Sequence, residues 1–434
     1  MMNWSTLPDL AAVALLTCAF GSVARQGQTR VSRLWLTGWT MIALHFAAYM
    51  FAGAPGNWGT LASVIGLDAL AWAGILFMWA CVPYRGRASS RGMLLVLLGT
   101  NTLYIGLIAT APHAAWVLDA AAGLFAVAPL TVALLAMRHF THPLRWSLVG
   151  LYVALAVFLL AVQQRGPNGA DWAFDAVIFT VYFGCCIHFW YAYRRSSAGS
   201  LVTLAGFACW AAVFVVAPLL QAYLPHLHVE SEVWNLPKYV VAVGMILLLL
   251  EDQIEHNRYL ALHDELTGLP NRRLFQDRID KALERARRNR SRAALLLIDL
   301  DHFKRVNDTV GHHIGDLLLR RVGTLFVARV RRSDTVARTG GDEFAVILEE
   351  PITREDAERV GDALIQRLKE PIELEDHTVT VGASVGIAMF PEDADNAERL
   401  RIAADRNMYA EKNTARGSAA AQPVPGVPGD AAEG

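Results

Sequence analysis

The sequence predicts two architectures in one chain: an N-terminal all-α domain that crosses a membrane many times, and a C-terminal α+β domain. The 434-residue chain is 54% hydrophobic, with a mean hydropathy of +0.31. Of its 39 basic and 40 acidic side chains, residues 1–250 hold only 12 and 7, which leaves 27 and 33 for residues 251–434. Long apolar stretches recur in the first part, whereas helix and strand patterns alternate in the second.

Residues 1–250 contain nine apolar stretches, each near the length that a helix needs to cross a hydrocarbon core of about 30 Å. They lie near residues 7–24, 34–53, 60–82, 92–110, 115–137, 147–162, 173–193, 201–224 and 236–250. Ten arginines follow the odd-numbered stretches, whereas the other loops hold only Arg165 and Lys238. The positive-inside rule therefore predicts an outside N-terminus and a cytoplasmic chain after Leu250.

A few polar side chains lie inside these apolar stretches: His45, Asp68, Asp119, Asp175 and His188. An ionisable group within a membrane is a candidate functional site, and a hydrogen bond to a neighbouring helix is the alternative. Asp68 is the most notable because it lies nearest the middle of a span. The five cysteines all lie in residues 1–250, so the sequence indicates no disulfide framework and no cysteine-type zinc site.

Residues 251–263 continue from the last apolar stretch without a helix breaker. They predict a helical stalk, which either pairs as a short two-chain coiled coil or serves as a plain linker. Glycine and proline in the following run, Asp264 to Arg272, end the stalk. Asn271 is a plausible N-cap for the next helix.

Residues 264–416 alternate between amphipathic helices and apolar strands. The pattern predicts helices at 272–289, 311–329, 354–368 and 397–412, and strands at 293–298 and 378–387, besides a hairpin at 336–348. Residues between 299 and 310 are expected to form a loop. The order αβαββαβα predicts an α+β domain with one mixed sheet flanked by helices. Residues 417–434, rich in Ala, Pro and Gly, predict a disordered tail.

The hairpin carries Gly340, Gly341, Asp342 and Glu343 at its tip, between two apolar strands. Glycine is needed where φ is positive or where a ligand lies against bare backbone. Paired carboxylates on a turn suit a hard cation such as Mg²⁺, which in turn suits phosphate. Asp299 follows the strand at 293–298, where an acid can also hold metal. An ordinary solvated turn is the alternative interpretation, and the neighbouring motifs disfavour it.

Residues 264–416 resemble the catalytic domain of the diguanylate cyclase (GGDEF) family. The motifs that carry the resemblance occur in the family's order: Asp264 to Arg272, Asp299 to Lys304, Asn307-Asp308, Gly311-His312 with Gly315-Asp316, Gly340 to Phe344, Ser384 to Ala388, and Ala404-Asp405 with Met408-Tyr409 and Lys412. The resemblance implies a fold similar to class III nucleotide cyclases and polymerase palm domains. It also implies an enzyme that condenses two GTP into cyclic di-GMP and two pyrophosphates.

The resemblance implies a catalytic group and a metal site. Mg²⁺, or Mn²⁺ in its place, would be held by Asp299, Asp342 and the Leu300 carbonyl. Glu343, also counted among the catalytic residues, would either join a second metal ion or form a hydrogen bond nearby. Asp342 also matches the family's candidate base, and Lys304 would neutralise phosphate charge in the transition state. Positions that contact the nucleotide in the family are matched here by Asn307, His312, Asp316, Gly340, Gly341, Lys412 and Arg416. Among these, Asn307 and Asp316 would read the guanine edge, and Lys412 and Arg416 would contact phosphates.

Arg331 and Asp334 form an Arg-x-x-Asp pair, separated from Gly340 by five residues. In the family this spacing marks an allosteric product-inhibition site, and a surface salt bridge is the alternative. Other charged residues near the motifs are interpreted as structural or solvated: Asp301, His313, Arg332 and Arg338. Asn407 and Glu411 replace the small residues usual in the last motif, a variation that leaves Lys412 in place.

The resemblance implies GTP as substrate, cyclic di-GMP as product and inhibitor, and a homodimer formed through the GGDEF domain and stalk. It places the chain in the inner membrane of a bacterial cell, among lipid, in signalling associated with biofilms. No nucleic-acid partner is expected. Two other readings stay open: a degenerate domain that only binds cyclic di-GMP, and a transporter-like membrane protein with a regulatory cyclase. The intact Asp299 and Gly340 to Phe344 disfavour the first, and the lack of paired broken helices disfavours the second.

Overall fold

A computed structural model describes residues 3–27, 30–81, 88–111, 114–135, 142–162, 169–193, 197–227, 229–350 and 352–420. The chain divides into two compact units, Met1–Ile254 and Glu255–Gly434. The division falls four residues after the end of the membrane domain that the sequence predicts.

Nine helices, one for each predicted span, begin within the described residues of the first unit. They are α1 (Leu7–Gly27), α2 (Arg30–Tyr49), α3 (Asn57–Ala80), α4 (Ala88–Thr110), α5 (Ala115–Leu135), α6 (His142–Val162), α7 (Gly169–Ala192), α8 (Ala198–Tyr223) and α9 (Ser231–Leu262). Within the described ranges, five helices are long and apolar enough to cross a membrane: α1, α3, α7, α8 and α9. Crossing by all nine therefore stays a prediction.

Three of the polar side chains singled out within these helices have hydrogen-bond partners: Asp68, His45 and His188. The Thr102 hydroxyl of α4 donates to Asp68 of α3 at 2.8 Å. Nδ1 of His45 lies 2.7 Å from the Gly66 carbonyl oxygen, and Nδ1 of His188 lies 2.9 Å from that of Gly184. Lipid offers no hydrogen bonds, so such internal pairing is expected. These contacts support the alternative interpretation, in which Asp68 serves helix packing.

Helix α9 runs without interruption from Ser231 to Leu262 and includes nearly all of the predicted stalk. The turn after it leads to Asn271, whose Oδ1 accepts the N–H groups of Arg273 at 3.0 Å and Leu274 at 3.1 Å. The predicted N-cap of the next helix is therefore confirmed.

The second unit contains five helices and six strands among its described residues. They are α10 (Arg272–Asn289), β1 (Ala293–Asp301), α11 (Phe303–Val310), α12 (His312–Val327), β2 (Thr335–Arg338), β3 (Glu343–Leu348), α13 (Arg354–Lys369), β4 (Ile372–Leu374), β5 (His377–Val379), β6 (Gly382–Phe390) and α14 (Ala397–Ala420). The predicted α+β class is confirmed. Helix α14 continues through residues 417–420 of the predicted tail, and residues 421–434 lie outside the described ranges.

The main sheet has the order β2-β3-β1-β6, and each neighbouring pair is antiparallel. The prediction of a mixed sheet was therefore wrong. Helices α11 and α12 connect β1 to β2, and these two strands run in the same direction, as they do in a crossover connection. The β2–β3 hairpin, however, puts β3 between β1 and β2, so the two parallel strands are not neighbours.

Helices cover both faces of this sheet. Side chains of β1 alternate between the faces: Leu296 and Ile298 join the core under α12 and α13, whereas Leu295 joins the core under α10 and α14. The same alternation places Asp299 on the α10–α14 face and Leu300 on the opposite face.

Candidate active site

The tip of the β2–β3 hairpin, residues 339–342, is a four-residue turn between Arg338, which ends β2, and Glu343, which begins β3. The Thr339 N–H donates to the Glu343 carbonyl at 3.0 Å, and the Glu343 N–H donates to the Gly340 carbonyl at 3.3 Å. The predicted hairpin is confirmed, and its tip is held by backbone hydrogen bonds.

Neither glycine of the tip has the positive φ of a left-handed backbone. Among the described residues, the glycines with positive φ are Gly56, Gly268 and Gly311. A Cβ on Gly341 would meet no atom within 4 Å, whereas a Cβ on Gly340 would lie 2.9 Å from Glu343 Oε2. Positive φ is therefore not the reason for either glycine. The other predicted reason, a ligand that lies against the bare backbone, still applies to Gly341. At Gly340 a side chain would push against Glu343.

The residues of the predicted metal site lie at one end of the sheet. Asp299 of β1 pairs directly with Glu343 of β3, so their side chains share a face. The Leu300 N–H donates to the Asp342 carbonyl at 3.2 Å, which ties the hairpin tip to β1. Lys412 Nζ of α14 lies 2.6 Å from Asp299 Oδ1, with side chains only 25% and 17% exposed.

Oxygen donors of this kind fit Mg²⁺, which prefers carboxylate and carbonyl ligands. The described residues contain no group of three His, Cys, Asp or Glu side chains arranged as a metal cage. Magnesium commonly binds through one or two carboxylates together with substrate phosphates, so a complete protein cage is not required. Asp299, Asp342 and Glu343 therefore fit an ion that arrives with a nucleotide.

Arg338 was expected to be a solvated charge, and that expectation was wrong. Its side chain is 12% exposed, and Nε and Nη2 donate to the Gly341 carbonyl at 3.0 and 2.7 Å. Nη1 forms an ion pair with Asp264 Oδ1 at 2.9 Å. The guanidinium therefore fastens the hairpin tip to the turn that follows α9.

Asp264 is a second residue whose role the sequence did not indicate. Besides Arg338, its Oδ1 accepts the Thr267 N–H at 2.8 Å and the Thr267 hydroxyl at 2.7 Å. Burial raises the pKa of the Asp264 carboxyl, but hydrogen bonds from Thr267 and Arg338 outweigh it and hold the pKa below its usual value. The carboxylate therefore stays charged and keeps its partners at neutral pH.

Asn307 lies on α11, in a segment that was expected to be a loop. A Cβ on Gly315 of α12 would overlap Asn307 Oδ1, so glycine there makes room for the amide. Asn307 Oδ1 is buried and accepts no hydrogen bond from the described residues. A buried acceptor without a protein partner is a place where a ligand donor can bind.

The remaining predicted contacts lie on the same helices. Lys304 is exposed in the first turn of α11, and His312 and Asp316 are exposed in the first turns of α12. The side chain of Arg416 lies outside the described residues, although its backbone belongs to α14. The structure therefore adds no contact to the predicted roles of these four residues.

Two clefts flank the hairpin tip. One, of about 420 Å³, is lined by residues that include Asn271, Arg338, Gly340 and Gly341. The other, of about 310 Å³, lies between α10 and α14, and Glu343 forms part of its wall. Both sides of the tip are therefore open to a small molecule.

The turn from Arg331 to Asp334 is held by hydrogen bonds from backbone N–H groups to the Asp334 side chain. The Asp334 carboxylate accepts the N–H of Arg331 at 2.8 Å and that of Glu349 at 3.2 Å. The Arg331 side chain is exposed. Asp334 therefore fixes the backbone from which Arg331 projects.

Several charged or polar residues near the motifs have local structural roles. Asp301 accepts the Ser384 hydroxyl at 2.8 Å, and His313 is an exposed residue 3.3 Å from Glu375. These positions agree with the structural interpretation. Asn407 and Glu411 donate to and accept from the backbone of β6, respectively, each at 2.7 Å. Asn407 and Glu411, which replace the small residues usual in the family, therefore bond α14 to β6, a role that the sequence did not indicate.

Comparison with known proteins identifies the second unit. Residues 261–418 match the family model described as diguanylate cyclase, GGDEF domain. The chain is 43% identical over 170 residues to the diguanylate cyclase TpbB of Pseudomonas aeruginosa, which is 39% of each chain. It is 42% identical over 194 residues to the bifunctional diguanylate cyclase/cyclic di-GMP phosphodiesterase MucR of the same species, 41% of this chain and 28% of MucR. The chain thus spans well under half the length of these relatives.

A solved structure of the TpbB GGDEF domain has 43% sequence identity and a TM-score of 0.34, and covers 35% of this chain and 89% of that one. The GGDEF domain of DgcB from Caulobacter crescentus, solved with cyclic di-GMP, has 28% identity and a TM-score of 0.34, with coverage of 36% and 89%. The segment that the family model matches, residues 261–418, begins three residues before the predicted domain and ends two residues after it. Residues 261–418 of this chain form a domain of the diguanylate cyclase GGDEF family.

Proposed function

We propose that this protein is a membrane-anchored diguanylate cyclase that condenses two GTP into cyclic di-GMP and two pyrophosphates. The observation that carries the proposal is the pairing of Asp299 with Glu343, beside the Asp342 backbone and Lys412, on one face of the sheet. Acids at adjoining strand ends, with a lysine of α14 beside them, suit phosphoryl chemistry, which depends on positioning and charge neutralisation.

In this reaction the 3′-hydroxyl of each GTP attacks the α-phosphorus of the other, and each of the two attacks releases one pyrophosphate. Asp342 is the candidate acceptor of the hydroxyl proton, and Lys304 would neutralise charge on the phosphates. Asp299, Asp342, Glu343 and the Leu300 carbonyl would hold Mg²⁺ or Mn²⁺, which would supply charge neutralisation at the phosphates. Lys412 and Arg416 would bind phosphate oxygens, and Lys412 would leave Asp299 when nucleotide and metal arrive.

Guanine recognition is assigned to Asn307 and Asp316, with His312 near the nucleotide. The buried, unpaired Asn307 Oδ1 supports this role because the guanine edge carries N–H donors. Gly340 and Gly341 would let the nucleotide lie against the backbone of the tip. Open space around Gly341 supports this assignment.

Two properties of the assembly belong to the same proposal. Each domain would hold one GTP, so two chains must face each other, with the stalk at residues 251–263 setting the pairing. Cyclic di-GMP would bind at Arg331 and Asp334 and inhibit synthesis. The exposed Arg331 side chain, on a turn that Asp334 fixes, supports this site.

The first unit would anchor the enzyme in the bacterial inner membrane and receive a signal. Five helices of suitable length and composition support anchoring. The charge bias of the loops supports an outside N-terminus and a cytoplasmic GGDEF domain.

The decisive experiment is turnover of GTP by the detergent-purified full-length protein with Mg²⁺, with the products separated by chromatography. We expect cyclic di-GMP and pyrophosphate in a 1:2 ratio, and loss of both with Asp342→Ala. A protein that binds labelled cyclic di-GMP without making it would instead be a binding module. Hydrolysis of added cyclic di-GMP would indicate phosphodiesterase activity, which the name of MucR includes.

A further inference from the structure

The outer edge of the main sheet is closed by side chains of α14. Strand β6 ends the sheet order, so one row of its backbone groups faces away from β1. Glu411 Oε2 accepts the Val385 N–H at 2.7 Å, and Asn407 Nδ2 donates to the Ile387 carbonyl at 2.7 Å. Helix α14 therefore takes the hydrogen-bonding position that a further strand would take.

The two contacts form a matched pair. Asn407 and Glu411 are four residues apart on one helix face, and Val385 and Ile387 are two residues apart on one strand edge. Between them lies Gly386, where a Cβ would overlap the Ala404 carbonyl oxygen and the Met408 nitrogen. The helix thus rests directly on the strand, and the two side chains fix its register.

Lys412 follows Glu411 directly and reaches Asp299 at 2.6 Å. A shift of α14 by one residue would turn Lys412 by about 100° around the helix axis and move it about 1.5 Å along it. Small side chains at 407 and 411 would allow close packing but would make no side-chain hydrogen bond to the strand edge. Asn407 and Glu411 add a donor and an acceptor that match one register of α14 on β6.

We propose that Asn407 and Glu411 are positioning residues, a latch on the β6 edge that holds Lys412 at Asp299. The consequence for turnover depends on the proposed function, because it requires Lys412 to act on phosphate. The position of Lys412 can be measured without it.

The test is trace acetylation of the full-length protein in detergent, without nucleotide or divalent cation, with the labelling rate of Lys412 read by mass spectrometry. In wild type the ion pair with Asp299 should protect Lys412. The double variant Asn407→Ala/Glu411→Ala should label Lys412 about threefold faster or more, and its GTP turnover should fall about tenfold. Glu411→Gln is the matched control, because its amide oxygen can still accept the Val385 N–H. It should keep wild-type labelling and turnover.

Unchanged labelling of Lys412 in the double variant would overturn the latch, whatever the turnover. If the double variant unfolds, Asn407→Asp provides the second test, since it replaces the donor with an acceptor opposite the Ile387 carbonyl. Its labelling should also rise, and a wild-type rate would again overturn the proposal. Faster labelling with wild-type turnover would support the latch and contradict the proposed action of Lys412 on phosphate.

Discussion

The two units of this protein differ in what their charged side chains do. In the helical unit Asp68 is bound by a hydroxyl of the next helix, and His45 by a backbone carbonyl. In the GGDEF unit Asp299 and Glu343 lie paired at a sheet end, beside Lys412 and two open clefts. The rare acid Asp68 in an apolar stretch therefore serves packing between helices, whereas the acids at the strand ends are the ones to which the proposed chemistry is assigned.

The largest expected effect comes from removing carboxylates at the sheet end. Asp342→Ala and, separately, Asp299→Ala should lower cyclic di-GMP synthesis about a thousandfold or more, because each removes a carboxylate proposed to hold the metal ion that neutralises the reacting phosphates. Asp68→Asn, which keeps an oxygen for the Thr102 hydroxyl, should change basal turnover less than about twofold. Near-normal turnover by either alanine variant at saturating Mg²⁺ would refute the metal assignment. A large loss with Asp68→Asn would break the contrast between the units.

Pairing of chains gives the next largest effect. If two GGDEF units must meet, the rate per mole of the isolated second unit should rise with protein concentration. A hundredfold dilution below the dimer dissociation constant should lower that rate by up to about a hundredfold. Full-length protein in detergent micelles, in which α9 links the GGDEF unit to the helical unit, serves for comparison. A flat rate per mole from nanomolar to micromolar would count against the dimer.

Product inhibition should depend on Arg331. Arg331→Ala should raise the midpoint of inhibition by cyclic di-GMP about tenfold or more while initial turnover stays largely intact, because a charge-assisted contact is lost. Arg332→Ala, a neighbouring exposed arginine, is the matched control and should leave the midpoint unchanged. Identical inhibition curves for wild type and Arg331→Ala would show that the Arg-x-x-Asp turn has only a structural role.

The smallest expected effect concerns stability. Arg338→Ala should lower the free energy of unfolding of the GGDEF unit by about 1–3 kcal/mol, because Asp264 and the Gly341 carbonyl lose a partly buried donor. Arg338→Lys should recover part of this loss through its charge, though without the two-pronged contact. Urea unfolding at pH 7 measures both variants. A loss below about 0.5 kcal/mol would place Arg338 among ordinary surface charges.

The ion pair between Asp264 and Arg338 also predicts that the free energy of unfolding depends on pH. The folded pKa of Asp264 lies below its usual value, so the carboxylate stabilises the fold above the pKa of the unfolded chain, about 4. This contribution is lost as the pH falls through the lower, folded pKa. The difference in unfolding free energy between wild type and Arg338→Ala should therefore be constant near neutrality and shrink below about pH 4. A difference that grows on acidification would contradict the assignment.

Some of the site was readable from the sequence because its chemistry restricts residue type. Acids and glycines at a hairpin tip, and an acid after a buried strand, predicted one site that contains Asp299 and Asp342, and the structure does bring the Asp342 backbone to the strand that carries Asp299. Arg338 was misjudged because its partner Asp264 lies 74 residues away in sequence, and a lone arginine gives no sign of one. The mixed sheet was wrong because periodicity identifies strands but not neighbours. Helix α11 was missed because eight residues with few apolar positions look like a loop.

The closure of β6 has a consequence for how the protein is made. Strand β6 leaves the ribosome before α14 does, so for a short time the growing chain presents an apolar strand with an open edge. Such an edge can pair with a strand of another nascent chain, and its Val385 and Ile387 groups stay open until Glu411 and Asn407 arrive. Substitutions that weaken the contacts of Asn407 and Glu411 with β6 should therefore increase aggregation during synthesis. The first measurable effect should be a lower yield of soluble protein, before any change in turnover.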